Sequence, residues 1–262
     1  MPETFVSSSQ MLHDAVAEYQ YITPDGGSVW CPYIVNGGRR LPNPSTDFLN
    51  RPGAGKVRAV EFQKAAQYAY EQVMLEGVGY LPSIAEAIRL RLVNGSLPDD
   101  NYNYTGVDCS ALVTSVVQPL VAQSGKDLFD QLIIPNDGAT PGYTGGLSAN
   151  EFTRKFRGHN QPLRAVNVSR LAANSVSVRG DLQPGDLAVY TPTNPQSLRH
   201  VSVVLDADGG DHVTLAHSGR RDPAAIGGVE IFTLPRKKVF DRERIHGQRG
   251  TMEIRRLNAL AS

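Results

Sequence analysis

Gly106-Val107-Asp108-Cys109-Ser110-Ala111-Leu112-Val113-Thr114-Ser115-Val116-Val117-Gln118-Pro119-Leu120-Val121 is the stretch on which the reading of this chain turns. A polar loop, residues 99–105, leads into it. The apolar positions that follow, Ala111-Leu112-Val113, Val116-Val117 and Leu120-Val121, predict a mostly buried helix that Pro119 bends or ends. Cys109 falls at the start of that helix, directly after Asp108. A free thiol has a pKa near 8.5, so only about 3% is thiolate at neutral pH; a helix N-terminus and a nearby imidazolium lower that pKa. A buried helix also holds the sulfur rigidly. Attack on a carbonyl further requires a base, and the base requires a group to orient it.

Upstream, two more helices are expected. Phe62, Ala65, Ala66, Ala69 and Val73 recur at helical spacing, with Gly77 placed to cap the C-terminus. Ser83-Ile84-Ala85-Glu86 after Pro82 is a capping box, and the helix it opens turns Ile84, Ala87, Ile88, Leu90 and Leu92 largely inward. Residues 1–58 are the least regular part, with turn signals at Pro24-Asp25-Gly26-Gly27 and Asn36-Gly37-Gly38. Residues 122–180 are rich in Gly, Asn and Pro and hold one short helix candidate from Ser148 through Phe156.

After residue 180 the period changes. Leu187–Tyr190, Val201–Leu205, His212–Ala216, Val229–Phe232 and Met252–Ile254 are short β-rich runs separated by turns. Helices followed by closely spaced strands predict an α+β fold with an antiparallel sheet. This region also supplies the bases. His200 opens one strand and His217 ends the next, and an antiparallel hairpin through Asp206-Ala207-Asp208-Gly209-Gly210 would set the two side by side at one edge of the sheet. There, one imidazole can act as base while the other fixes its tautomer.

Composition narrows the function classes. The 262 residues carry 26 Lys+Arg against 26 Asp+Glu, which argues against a protein built to coat nucleic acid or anionic lipid. Two cysteines make no disulfide framework, and no CxxC pair suggests zinc. At 40% hydrophobic and 20% charged residues, the chain is an ordinary globular protein, long enough for a sizeable core. The apolar runs fall short of the ~20 residues needed to cross a bilayer. No basic start leads into an apolar run, so the expectation is synthesis in the cytoplasm without a signal peptide.

Several of these segments resemble NlpC/p60-type cysteine peptidases, papain-like hydrolases of the bacterial cell wall. Val107-Asp108-Cys109-Ser110-Ala111-Leu112-Val113 is similar to the family's D-C-S-G nucleophile motif. Leu182-Gln183-Pro184-Gly185-Asp186-Leu187 is similar to its L-x-P-G-D-L turn. Arg199-His200-Val201-Ser202-Val203-Val204-Leu205 resembles its base strand, and Leu215-Ala216-His217-Ser218 the strand bearing the third catalytic residue. Gly228-Val229-Glu230-Ile231, Phe240 and the run from Gly247 to Leu257 resemble its closing strands.

The resemblance covers roughly residues 60–262 and implies a nucleophile helix packed on a five- to six-stranded antiparallel sheet. Residues 1–58 would then be an N-terminal extension, 59–262 the hydrolase domain and 122–180 an insertion beside its cleft. It implies a Cys109–His200–His217 triad that needs no cofactor or metal. Its substrate would be the peptidoglycan stem peptide, met outside the producing cell or in a phage particle. An immunity protein or a delivery apparatus would be a further partner.

The chain departs from the family at Ala111, where glycine is usual, and in lacking a P-Y-x-W-G-G element close before the cysteine. Two segments compete for that element: Gly79-Tyr80-Leu81-Pro82, whose Tyr80 is the reading preferred here, and Pro32-Tyr33-Ile34-Val35-Asn36-Gly37-Gly38, closer by letters. Asp108, Ser110, Arg199 and Arg220 are the other candidates for touching substrate, the arginines by pairing with stem-peptide carboxylates.

Each residue also has a plainer role. Cys109 would be a packed thiol, Asp108 a helix-start carboxylate, and Arg199, Arg220 and Arg221 solvated charge. Cys31 reads as packing, His212 as a surface hairpin residue, and a Cys109–His200–His217 zinc site lacks paired-ligand spacing. Two rival functions stand beside the peptidase: an acyltransferase or deamidase on the same fold, and a binding module without catalysis.

Overall fold

A computed structural model describes residues 6–34, 57–94, 96–99, 105–126, 128, 168–194, 199–207, 210–219, 227–240, 244–245 and 248–261. The Ser148–Phe156 helix candidate and most of the expected insertion lie outside them.

The N-terminal segment is more regular than its sequence suggests. Ser7 caps helix α1 (Ser8–Ala17) by accepting the Gln10 N–H at 3.2 Å, and Leu12 and Val16, one turn apart, are both buried. Strands β1 (Gln20–Ile22) and β2 (Ser28–Trp30) form an antiparallel hairpin. The Pro24-Asp25-Gly26-Gly27 signal is its turn: the Gly26 N–H donates to Thr23 O at 2.9 Å, and Gly26 takes φ +85°, which a glycine adopts without steric cost. The expected irregularity thus fails for residues 8–30, because one amphipathic helix and two three-residue strands are too short to stand out by periodicity.

Helix α2 (Ala59–Glu76) buries Phe62, Ala65, Ala66, Ala69 and Val73 and stops at Gly77, at φ +82°. In α3 (Ile84–Asn94) the Ser83 Oγ accepts the Glu86 N–H at 3.2 Å, and Ala87, Ile88 and Leu92 face the core. Helix α4 (Cys109–Ala122) is the most buried of these; it runs through Pro119 and closes one turn later. It packs on α1 and on the sheet at β5 and β6.

After α5 (Val168–Ala173) come β3 (Ser175–Ser177), β4 (Leu187–Pro192), β5 (His200–Asp206), β6 (His212–Gly219) and β7 (Gly228–Pro235). Helix α6 (Arg236–Phe240), β8 (Arg244–Ile245) and β9 (Gln248–Leu257) complete the described chain. The strands order β3-β9-β4-β5-β6-β7, all antiparallel, with β8 paired to β9. The protein is therefore α+β, with helices on an antiparallel sheet.

Alternation along the strands divides the sheet between two cores. Leu187, Val189, Val201, Val203, Leu205 and Ala216 join the main cluster with the helices, while Ala188, Val204, Val213 and Leu215 join a smaller one with Leu182, Ile254 and Val239. Burial on both faces explains why β5 reads as an almost unbroken apolar run.

The Pro184-Gly185-Asp186 turn enters the sheet at a tight corner. Gly185 sits at φ +93°, where an added Cβ would lie 2.8 Å from Leu120 Cδ2. Asp186, 1% exposed, accepts Arg256 Nε on Oδ1 at 2.7 Å and Arg256 Nη2 on Oδ2 at 2.9 Å, bracing β4 against β9. This carboxylate holds the Arg256 guanidinium above its ordinary pKa.

Candidate active site

His200 and His217 meet at the end of the sheet where β5 begins and β6 ends. The register Val203↔Ala216 and Val204↔Leu215 carries them toward each other. His200 Nε2 and His217 Nδ1 are 2.8 Å apart, with the rings nearly perpendicular at 85° and each residue 6% exposed. In the strand alternation they share the side of Val204 and Leu215. Phe232 of the smaller cluster packs on His217 at 4.8 Å between ring centroids.

Gly219 leaves room for the pair: a Cβ there would lie 3.2 Å from His200 Cε1 and 3.3 Å from His217 Cε1. Across the next ladder His217 pairs with Glu230, whose Oε2 stands 3.5 Å from His217 Nε2.

Cys109 is the first residue of α4 and is 7% exposed. The loop before it is tied to the histidine strand, since the Ser218 Oγ donates to Val107 O at 2.6 Å. Ser218 follows His217 in β6, and Val107 precedes Cys109 by two residues, so this bond brings the cysteine segment to the end of the sheet that holds the pair. Asp108 Oδ1 accepts the Ala111 N–H and the Ser110 Oγ–H, each at 2.8 Å. Both Asp108 and Ser110 are buried, and these bonds give them the capping role that fixes the first turn of α4.

A third segment reaches the site. Residues 31–34 run between the cysteine loop and β7. The Val107 N–H donates to Pro32 O at 2.9 Å, the Tyr33 N–H to Gly227 O at 2.8 Å, and the Val229 N–H to Cys31 O at 2.9 Å. Tyr33 bridges Val107 directly. Tyr80, the tyrosine preferred from sequence, is instead fully exposed. In its turn, Val78 and Leu81 pack on the core, which leaves the intervening ring in solvent. Of the two candidate segments, the fold brings the one containing Tyr33 to Val107, two residues before Cys109.

Arg199 is exposed and donates to Ser169 Oγ at 3.1 Å. Arg220 and Arg221 lie outside the described residues. Cys31 is fully buried, burial pushes its thiol well above the usual range, and neither cysteine is in a disulfide. His212 is exposed at the far end of β6, and His159 and His246 are not among the described residues. No group of three His, Cys, Asp or Glu side chains among the described residues is arranged to hold a metal ion. No helix among them is long and apolar enough to cross a membrane.

No motif in the sequence marks Glu230, Phe232 or Gly219. Their signal is only register: Glu230 is the one acidic residue of β7, and the ladder sets it opposite His217. No protein-family model, curated protein or solved structure matches this chain.

Proposed function

We propose that this chain is a papain-like cysteine hydrolase of the NlpC/p60 type, cleaving amide bonds in peptidoglycan stem peptides. The observation that carries the reading is the buried His200–His217 pair, joined at 2.8 Å beside the segment that starts α4 at Cys109. Two imidazoles sharing one proton are an arrangement for holding a base in one tautomer, and the first residue of a buried helix is where a thiolate is stabilised.

In this mechanism His200 takes the Cys109 thiol proton, and the thiolate adds to the scissile carbonyl carbon. The tetrahedral oxyanion is met by the Cys109 backbone N–H at the helix start. Collapse breaks the C–N bond; His200 returns the proton to the leaving amine, and a thioester remains on Cys109. Water, deprotonated by His200, hydrolyses the thioester to carboxylate and restores the thiol. His217 keeps the His200 ring oriented throughout and shares the positive charge of the ion pair.

The substrate class rests on the ordered resemblance of the cysteine, Pro-Gly-Asp and two histidine segments to the family. The test is digestion of purified sacculi, read as release of free amines. Wild type is expected to release them and Cys109→Ala to lose activity by at least a thousandfold. Undiminished digestion by Cys109→Ala would overturn the proposal.

A further inference from the structure

From the geometry around His217 we infer that Glu230 is a positioning residue that fixes the tautomer of the histidine pair, extending the catalytic chain to Cys109–His200–His217–Glu230. The inference rests on the functional reading above for its kinetic consequence, but its structural content stands without it.

The 2.8 Å contact joins His200 Nε2 to His217 Nδ1 and holds one proton. For His200 to accept a proton from the thiol, its Nδ1 must be bare, so its own proton is on Nε2 and is donated to His217 Nδ1. His217 Nδ1 is then an acceptor, and the proton of that ring must be on Nε2.

That atom is buried and makes no hydrogen bond to any of the described residues. The acceptor facing it is Glu230 Oε2 at 3.5 Å, in ion-pair range and a few tenths of an ångström beyond a full hydrogen bond. A carboxylate can only accept, so it selects the Nε2–H form of His217 over the Nδ1–H form. In the Nδ1–H form the shared proton would point the other way and leave His200 with its remaining proton on Nδ1, unable to act as base.

Among the described residues, groups of three kinds therefore bear on His217: the His200 ring from β5, the Glu230 carboxylate from β7 and the apolar Phe232 ring, also from β7. Glu230 is cross-strand to His217 by register, which gives the pair a fixed mutual position with little side-chain ordering left to do. Its side chain is 29% exposed against 7% for His217, so the carboxylate remains partly solvated while its partner nitrogen is sealed from water.

The test is nitrogen-15 spectroscopy of the histidine rings in the full chain, read together with kcat and KM for sacculus fragments. Wild type should show His217 protonated at Nε2 and bare at Nδ1. Glu230→Leu should convert a measurable fraction to the Nδ1–H form and lower kcat about tenfold with KM within twofold. Glu230→Gln is nearly isosteric and keeps a carbonyl acceptor, so it should recover the Nε2–H form and part of the rate.

A wild-type spectrum with His217 protonated at Nδ1 would overturn the inference. So would an unchanged tautomer and kcat in Glu230→Leu, or loss of kcat in both variants without a tautomer change. If Cys109→Ala retained activity while the tautomer followed Glu230 as described, the hydrolase reading would fail and the positioning role would stand.

Discussion

Gly219→Ala tests whether the histidine pair matters by crowding it without removing a functional group. The new Cβ would stand 3.2 Å from His200 Cε1, 3.3 Å from His217 Cε1 and 3.5 Å from His217 Nδ1. Carbon atoms prefer about 3.5–4.0 Å, so each ring must retreat by a few tenths of an ångström. His217 has little freedom, because Phe232 packs on it at 4.8 Å. The strain is therefore relieved by parting the two rings, and the 2.8 Å bond lengthens toward the limit where hydrogen bonds weaken. Overpacking costs about 1–3 kcal/mol, offset by about 0.4–1 kcal/mol from the stiffer unfolded chain, since Gly219 is not in the left-handed region. The net change in stability is then about 1 kcal/mol. A displacement of 1 Å at a reacting group costs on the order of a hundredfold in rate, so a few tenths should cost about tenfold. Gly210→Ala is the control, because nothing lies within 4 Å of its added Cβ. Urea unfolding and initial rates on sacculi measure the two effects. A Gly219→Ala variant as fast as wild type would refute the assignment of the pair to the proposed reaction, as would an equal loss in Gly210→Ala.

Two further outcomes are expected. Asp186→Ala should destabilise the fold by about 3 kcal/mol in urea unfolding, the lower end for breaking a buried pair, because Arg256 keeps 18% side-chain exposure and its bond to Asp181 O; a change under 1 kcal/mol would show that the β4–β9 brace is dispensable. Cys31 is neutral when folded, its thiol raised by burial, while the unfolded chain ionises it near pH 8.5; stability should fall by about 1.4 kcal/mol per pH unit above that point, and Cys31→Ala should lack this limb between pH 8.5 and 10 in chemical denaturation. Tyr19, raised by burial in the same direction, adds its own limb above about pH 10 in both proteins.

Where the sequence is legible, one local rule governs each element. Helix α2 buries Phe62, Ala65, Ala66, Ala69 and Val73, the five positions its period marks, because a single face decides the helix. Ser83 and Gly77 act where capping chemistry puts them. The five longer strands are legible because β-branched runs between turn signals leave few alternatives. The short strands β3 and β8 escape notice, since two or three residues carry no period. Pro119, expected to bend or end α4, does not end it: the helix continues to Ala122, less than one further turn. The site divides the same way. His200 and His217 follow from strand order, whereas Glu230 needs the β6–β7 register and Gly219 a close approach between strands that only packing reveals.

The two tyrosines show why distance along the chain misleads at such a site. Tyr80 is nearer to Cys109 in sequence, yet it projects from a turn whose own apolar neighbours take the core side. Tyr33 is more distant, but its segment is held on both sides by backbone bonds, to Val107 on one and to Gly227 and Val229 on the other. Both approaches depend on glycine: a Cβ on Gly106 would lie 2.8 Å from Pro32 O, and one on Gly228 would lie 3.1 Å from Cys31 O. Val107 leads to the cysteine and β7 carries Glu230, the cross-strand partner of His217. Residues 31–34 are thus interposed between the element that brings the thiol and the element that brings the carboxylate. A segment in that position helps set their separation, so residues 31–34 bear on the geometry of the proposed site through their backbone bonds to Val107, Gly227 and Val229.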